Sequence, residues 1–333
     1  MNIGLVVIVA VVLWSGVAAA QAQRVPCYFI FGDSSADNGN NNQLWSNARA
    51  NYLPYGIDSS VGPTGRFSNG KTTVDVIAEL LGLAGFIRPY ASAGARDIFY
   101  GVNYASAASG IRDETGQQLG SRISLRGQVQ NHIRTAYQML NSLGDVNRTL
   151  TYLGRCIYSI GVGGDDYLNN YFMPQFYPTS RQYTPEQYAN LLLQSYAQLL
   201  ENSSYGRTCV ARINSANQLF NNGLRSLVDQ LNNQLTDARF IYTNVYGIFQ
   251  DVLSNPSSYG FRVTNAGCCG VGRNNGQVTC LPLQTPCRNR NAFLFWDAFH
   301  PTEAANTIIG RRAYNAHSAS DAYPVDINRL AQI

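Results

Sequence analysis

An α/β architecture built on a parallel sheet, with helices on both faces, is what this sequence predicts, and three observations predict it. Short apolar runs alternate along the chain with stretches of helical periodicity, the order that builds parallel sheets through crossover helices. The first run, Val25 to Phe31, is a short apolar segment bounded by Pro26 and Gly32, as a strand covered on both faces should be. Turns bearing glycine, aspartate and serine follow directly on several runs. Reactive groups collect at such places, beyond the carboxyl ends of strands.

Taken in order, Val25 to Phe31 ends in the turn Gly32-Asp33-Ser34. Val74, Ile77 and Leu81 then fall on one face of a helix that Gly82 stops. Tyr100 to Ala105 reads as a second strand, leading into Ser106-Ala107-Ala108-Ser109-Gly110, and Val129, Ile133, Tyr137 and Leu140 follow at helical spacing. Cys156 to Val162 returns to strand character before Gly163-Gly164-Asp165-Asp166. Thr184-Pro185-Glu186-Gln187 is a capping box with proline at the first helical position, opening a helix that reaches Leu200. A second long helix carries Ile213, Phe220, Leu224, Leu227, Leu231 and Leu235 along one stripe, which reads as core. Phe240 to Tyr246 reads as a strand. Phe293 to Trp296 is a short apolar stretch that delivers Asp297-Ala298-Phe299-His300, and Pro301-Thr302-Glu303 starts the last helix. With no internal repeat, low-complexity tract or linker, residues 23–333 are expected to form one domain.

Residues 1–22 read as a secretory signal peptide. Ile3 to Trp14 is almost unbroken apolar sequence, and small residues follow at Ala18, Ala19, Ala20 and Ala22. The run is shorter than the ~20 residues that a transmembrane helix needs, and no later stretch is long and apolar enough, so no integral membrane segment is expected. Two N-glycosylation sequons, at Asn147 and Asn202, agree with export to the cell exterior or cell wall. The net charge of +4 is modest and its cations are scattered, which leaves no footprint for nucleic acid. An acidic cell-wall polymer is the one polyanionic partner the charge suggests, and no patch supports it.

Seven cysteines in an exported chain should mostly pair. Cys268, Cys269, Cys280 and Cys287 share one loop rich in Gly, Asn and Pro, and read as two local disulfides. Zinc is the competing reading, but the loop has no C-x-x-C pair and no histidine, so no metal is expected. An odd count leaves at least one cysteine without an intrachain partner.

A serine hydroxyl is a poor nucleophile until a base takes its proton, and the base works best when a third group fixes its tautomer. Of the three histidines, His132 lies in an amphipathic stretch and His317 near a polar terminus. Only His300 has a carboxylate, Asp297, three residues before it in a tight segment after an apolar strand. Gly32-Asp33-Ser34 supplies a serine in the corresponding place after the first strand.

Three blocks together are specific. Phe31-Gly32-Asp33-Ser34-Ser35-Ala36-Asp37-Asn38-Gly39-Asn40-Asn41-Asn42, then Asn103-Tyr104-Ala105-Ser106-Ala107-Ala108-Ser109-Gly110, then Trp296-Asp297-Ala298-Phe299-His300-Pro301 resemble the GDSL esterase/lipase family, or SGNH hydrolases, and most closely its plant secreted branch. The resemblance implies a flavodoxin-like α/β/α sandwich, hydrolysis of acyl esters of lipids or cell-wall polymers, and no cofactor. It implies Ser34 as nucleophile, His300 as base and Asp297 as its partner. The backbone N–H groups of Ser34 and Gly110 would serve as oxyanion donors. The nucleophile turn differs from the G-x-S-x-G elbow, which is absent from this sequence.

Two departures stand out. The family's Gly-Ser-Asn-Asp-Tyr block reads Gly163-Gly164-Asp165-Asp166-Tyr167 here. Asp165 therefore replaces the asparagine oxyanion donor, and it helps only if burial keeps it protonated. Between Leu200 and Cys209 the chain also has no room for the further strand, with its Gly-Cys-x-Pro turn, that the family carries. One strand of the sheet is therefore expected to be missing, together with the cysteine that would pair with Cys209. These departures set a second reading beside the hydrolase: a catalytically impaired or silent secreted binding protein of the same fold.

Overall fold

The computed structural model describes residues 23–200, 211–235 and 238–332. Strand β1 (Tyr28–Gly32) is buried along its whole length and pairs in parallel with β2 (Ile157–Gly161), Tyr28 opposite Ile157 and Gly32 opposite Gly161. Between them run α1 (Thr73–Leu80), α2 (Leu125–Leu143) and α3 (Val146–Leu153). Two helices follow β2, α4 (Pro185–Leu200) and α5 (Ala211–Gln234), and they pack on each other. Beyond these, and apart from short helical turns, come β3 (Tyr242–Thr243), α6 (Val245–Ser254), β4 (Val263–Gly267), β5 (Phe293–Phe295), α7 (Glu303–Tyr314) and β6 (Ala322–Tyr323). Strands β4 and β5 pair in parallel, β3 and β6 antiparallel. The chain is thus an α/β protein with parallel pairing at its centre.

Local chemistry explains most element ends. The Thr184 hydroxyl accepts from the Gln187 N–H while Gln187 accepts the Thr184 N–H, so the expected capping box opens α4. Thr302 caps α7 in a similar way, accepting from the Ala305 N–H. On α5, Phe220, Leu224, Leu227 and Leu231 are buried as their spacing requires. On α2 the apolar spacing is misleading, because Ile133 and Tyr137 face solvent while the polar Gln128, Asn131 and Thr135 face inward.

Two expected strands are altered. Tyr100 to Ala105 does run beside β1, since Tyr28 and Ile30 donate to the Tyr100 and Val102 carbonyls and Tyr104 donates to Ile30. It forms only isolated bridges, because Gly101 (φ +119°) passes so close to Tyr28 that any β-carbon there would collide with its carbonyl. The stretch from Phe240 to Tyr246 keeps only the two strand residues of β3, because the Asn244 side chain accepts from the Gly247 N–H and starts α6 at Val245. It does not close up against β2, whose one partner among the described strands is β1.

A cavity of about 2150 Å³ lies between β2 and the Phe240–Thr243 segment, and it is continuous with the space around Ser34 and His300. Two buried apolar clusters lie on opposite faces of β1. One holds Phe29, Phe31 and Ile160 with α5, the other Tyr28, Ile30 and Ile157 with α1. Disulfides join Cys268 to Cys287 and Cys269 to Cys280, the two local bridges expected of that loop. A third, unforeseen bridge joins Cys27 to Cys156 at the entry to β1 and β2. Cys209 lies outside the described residues.

Candidate active site

The turn after β1 is held from two sides, by β2 and by α2. Gly32 passes so near β2 that a β-carbon on it would lie 2.6 Å from the Gly161 carbonyl oxygen, which requires glycine there. The Asp33 N–H donates to that same carbonyl at 3.1 Å. From α2, the Gln128 side chain accepts the Gly32 N–H at 2.9 Å and donates to the Gly32 carbonyl at 2.8 Å. This clamp, invisible to apolar periodicity, is why α2 buries a glutamine. It leaves Ser34 half-buried at the carboxyl end of β1.

His300 arrives on the loop after β5. The Asp297 carboxylate accepts the Phe299 and His300 N–H groups, both at 2.9 Å, and the Trp296 N–H donates to the His300 carbonyl at 2.7 Å. Asp-x-x-His is therefore a self-bonded turn, which gives the three-residue spacing its physical meaning. His300 Nε2 lies 2.8 Å from Ser34 Oγ. Its Nδ1 lies 2.8 and 3.0 Å from the two Asp297 oxygens. The ring packs on Phe67, with centroids 4.9 Å apart.

Burial works to lower the His300 pKa, but Asp297 outweighs it, with Asp33 and Asp165 adding, so the ring titrates above its ordinary value. Burial works to raise Asp297, but His300 and the Tyr55 hydrogen bond outweigh it and hold this carboxylate below its ordinary value. Tyr55 O–H donates to Asp297 Oδ2 at 2.6 Å. No motif singled out Tyr55, which lies 242 residues before Asp297 in sequence.

Asp165 sits just beyond β2, and it lines the same cavity as Ser34 and His300. Its Oδ1 accepts from the Asn169 amide at 2.5 Å, while its Oδ2 is buried with no hydrogen-bond partner among the described residues. Burial first, and then the negative charges of Asp33 and Asp166, push its pKa up to about 8. A carboxyl group so placed is largely protonated at neutral pH, and its free oxygen can donate.

Gly110 is not among the residues that line the cavity shared by Ser34, Asp165 and His300. A β-carbon on it would meet the Asp166 carboxylate and Thr115 at 2.6 Å, so the lack of a side chain serves packing. Ala108, two residues earlier, lines the cavity with Ser34 and has φ +64°. The backbone N–H groups of Ser34, Ala108 and Gly110 have no backbone partner among the described residues. The polar run Asp37 to Asn41 is buried and ties the first block to the second. The Asp37 carboxylate accepts the Ala107 N–H at 2.9 Å, and Asn40 and Asn41 donate to the Ala105 and Ala107 carbonyls. His132 sits in a cluster of Phe29, Phe31, Tyr104 and Tyr158, where burial pushes its pKa down to about 4. His317 is exposed. Asn147 is exposed at the start of α3, and Asn202 lies outside the described residues. No group of metal-ligating side chains occurs among the described residues.

The whole chain is similar to known proteins. A profile of the GDSL-like lipase/acylhydrolase family matches residues 28–313. A GDSL esterase/lipase of Arabidopsis thaliana is 62% identical over 355 aligned positions, covering 98% of each chain, and a second from the same plant is 60% identical with 92% of each covered. Because 355 aligned positions meet a chain of 333 residues, more than twenty positions of the first relative have no counterpart here. The chain belongs to the GDSL-like lipase/acylhydrolase family, whose chemistry is the cleavage of carboxylic esters.

Proposed function

We propose that the chain is an exported serine esterase that works through an acyl-enzyme on Ser34. His300 Nε2 takes the Ser34 proton as Oγ adds to the ester carbonyl carbon, and Asp297 stabilises the imidazolium. The C–O bond to the alcohol then breaks and the alcohol leaves with that proton. Water repeats the sequence in reverse and frees the acid. The Ser34 N–H, a second backbone N–H at Ala108 or Gly110, and the protonated Asp165 carboxyl are the donors assigned to the oxyanion. Losing one such donor costs about 10²–10³ in rate. The observation that carries the reading is the Ser34–His300–Asp297 relay, with contacts of 2.8 Å at each step.

Several finer assignments belong to the same proposal. Residues 1–22 act as a removable leader and 23–333 fold as one domain, a flavodoxin-like α/β/α sandwich lacking one strand. Three disulfides and the absence of a membrane-spanning helix among the described residues support an extracellular or cell-wall location, with glycans on Asn147 and Asn202. The substrates assigned are acyl esters of lipids or wall polymers. Fluorophosphonate labelling and aryl-ester hydrolysis of the wild type beside Ser34→Ala test the proposal. Turnover should fall by ~10⁴ or more with labelling lost, and labelling that survives the substitution would overturn the assignment.

A further inference from the structure

In a parallel ladder, alternate residues turn their N–H and C=O groups to opposite sides. The Ile157 N–H donates to Cys27 and the Gly161 carbonyl accepts from Asp33, so the groups of Ile157, Ser159 and Gly161 face β1. Those of Tyr158 and Ile160 face the other way, into the cavity, and have no partner among the described residues.

Across the cavity stands Phe240–Thr243. Phe240 and Tyr242 join the same buried cluster as Tyr158 and Ile160, while Ile241 joins the cluster of Ile157 on the opposite face. The two walls thus alternate between the same two cores, although they do not pair with each other. The space between them has a backbone edge on one side and apolar residues above and below, including Leu153 and Leu235 on one face and Val74 and Ile77 on the other. At about 2150 Å³ it exceeds the roughly 300–1,000 Å³ of a small-molecule pocket. A hydrocarbon chain would leave the N–H and C=O groups of Tyr158 and Ile160 unpaired in an apolar slot, a costly outcome. A peptide backbone pairs them. The relatives carry more than twenty positions that this chain lacks.

We propose that this slot is an acceptor site for one extended strand of another polypeptide, uncharged and apolar at consecutive positions, which lies against β2 and completes the sheet by β-augmentation. Consecutive rather than alternating apolar residues are required because both faces of the strand would be covered.

The test uses the purified Ser34→Ala protein, so that its outcome is independent of the esterase reading. The probe is a synthetic peptide of consecutive Val, Ile and Phe residues with lysines at both ends, and the control is the same peptide N-methylated at alternate amides. The parent peptide should slow hydrogen exchange at the Tyr158 and Ile160 amides at least tenfold and raise Tm in a concentration-dependent way, while the control does neither. The proposal is overturned if those two amides are already protected without peptide, or if the parent peptide leaves their exchange unchanged. It is equally overturned if the N-methylated peptide or palmitate gives the same protection and Tm rise, since apolar filling alone would then suffice.

Discussion

Replacing Asp165 by asparagine isolates the most unusual group of the site. With a pKa of about 8, the carboxyl is mostly protonated at neutral pH and about nine-tenths ionised at pH 9. An ionised carboxylate can only accept, and it opposes the charge that develops on the oxyanion. Wild-type kcat should therefore fall about tenfold between pH 7 and pH 9, on protonation alone. An asparagine amide donates at every pH, so Asp165→Asn should hold its kcat through that window and exceed the wild type by ~10-fold at pH 9. The assay is kcat for a short-chain aryl ester across this range for both proteins, with spontaneous hydrolysis subtracted. A kcat ratio of variant to wild type that stays constant across pH would refute the reasoning, because it would mean that the Asp165 carboxyl does not titrate beside the reacting oxygen.

Two further substitutions probe the supports of the site. Tyr55→Phe removes a 2.6 Å bond to a buried carboxylate, and should cost about 1.5–3 kcal/mol in urea unfolding while raising the Asp297 pKa, read as a shifted acidic limb of kcat. An unchanged pH profile with lost stability would mean that Tyr55 only packs. Replacing Cys27 and Cys156 together by serine opens a bridge spanning 129 residues, and should lower unfolding stability by about 4–5 kcal/mol by the loop-entropy relation. Equal denaturation midpoints for the variant and the oxidised wild type would contradict a stabilising role for this bridge.

Much of the chemistry was legible locally. Ser34, Asp297 and His300 could be named because each lies in a short motif of neighbouring residues. The spacing from Asp297 to His300 is set by bonds between that carboxylate and backbone N–H groups two and three residues on. The capping box of α4, the α5 stripe and the two bridges of the Cys268–Cys287 loop likewise depend on neighbours in sequence. Tertiary structure alone decided what rests on distant partners. Gln128 clamps Gly32 across 96 residues and Tyr55 meets Asp297 across 242, and neither pairing leaves a mark in periodicity or spacing. The packing role of Gly110 depends on where Asp166 and Thr115 land. Apolar runs announce that strands exist, but pairing between strands is a long-range contact that no single run encodes, so only the folded chain shows that β2 lacks a second neighbour among the described strands.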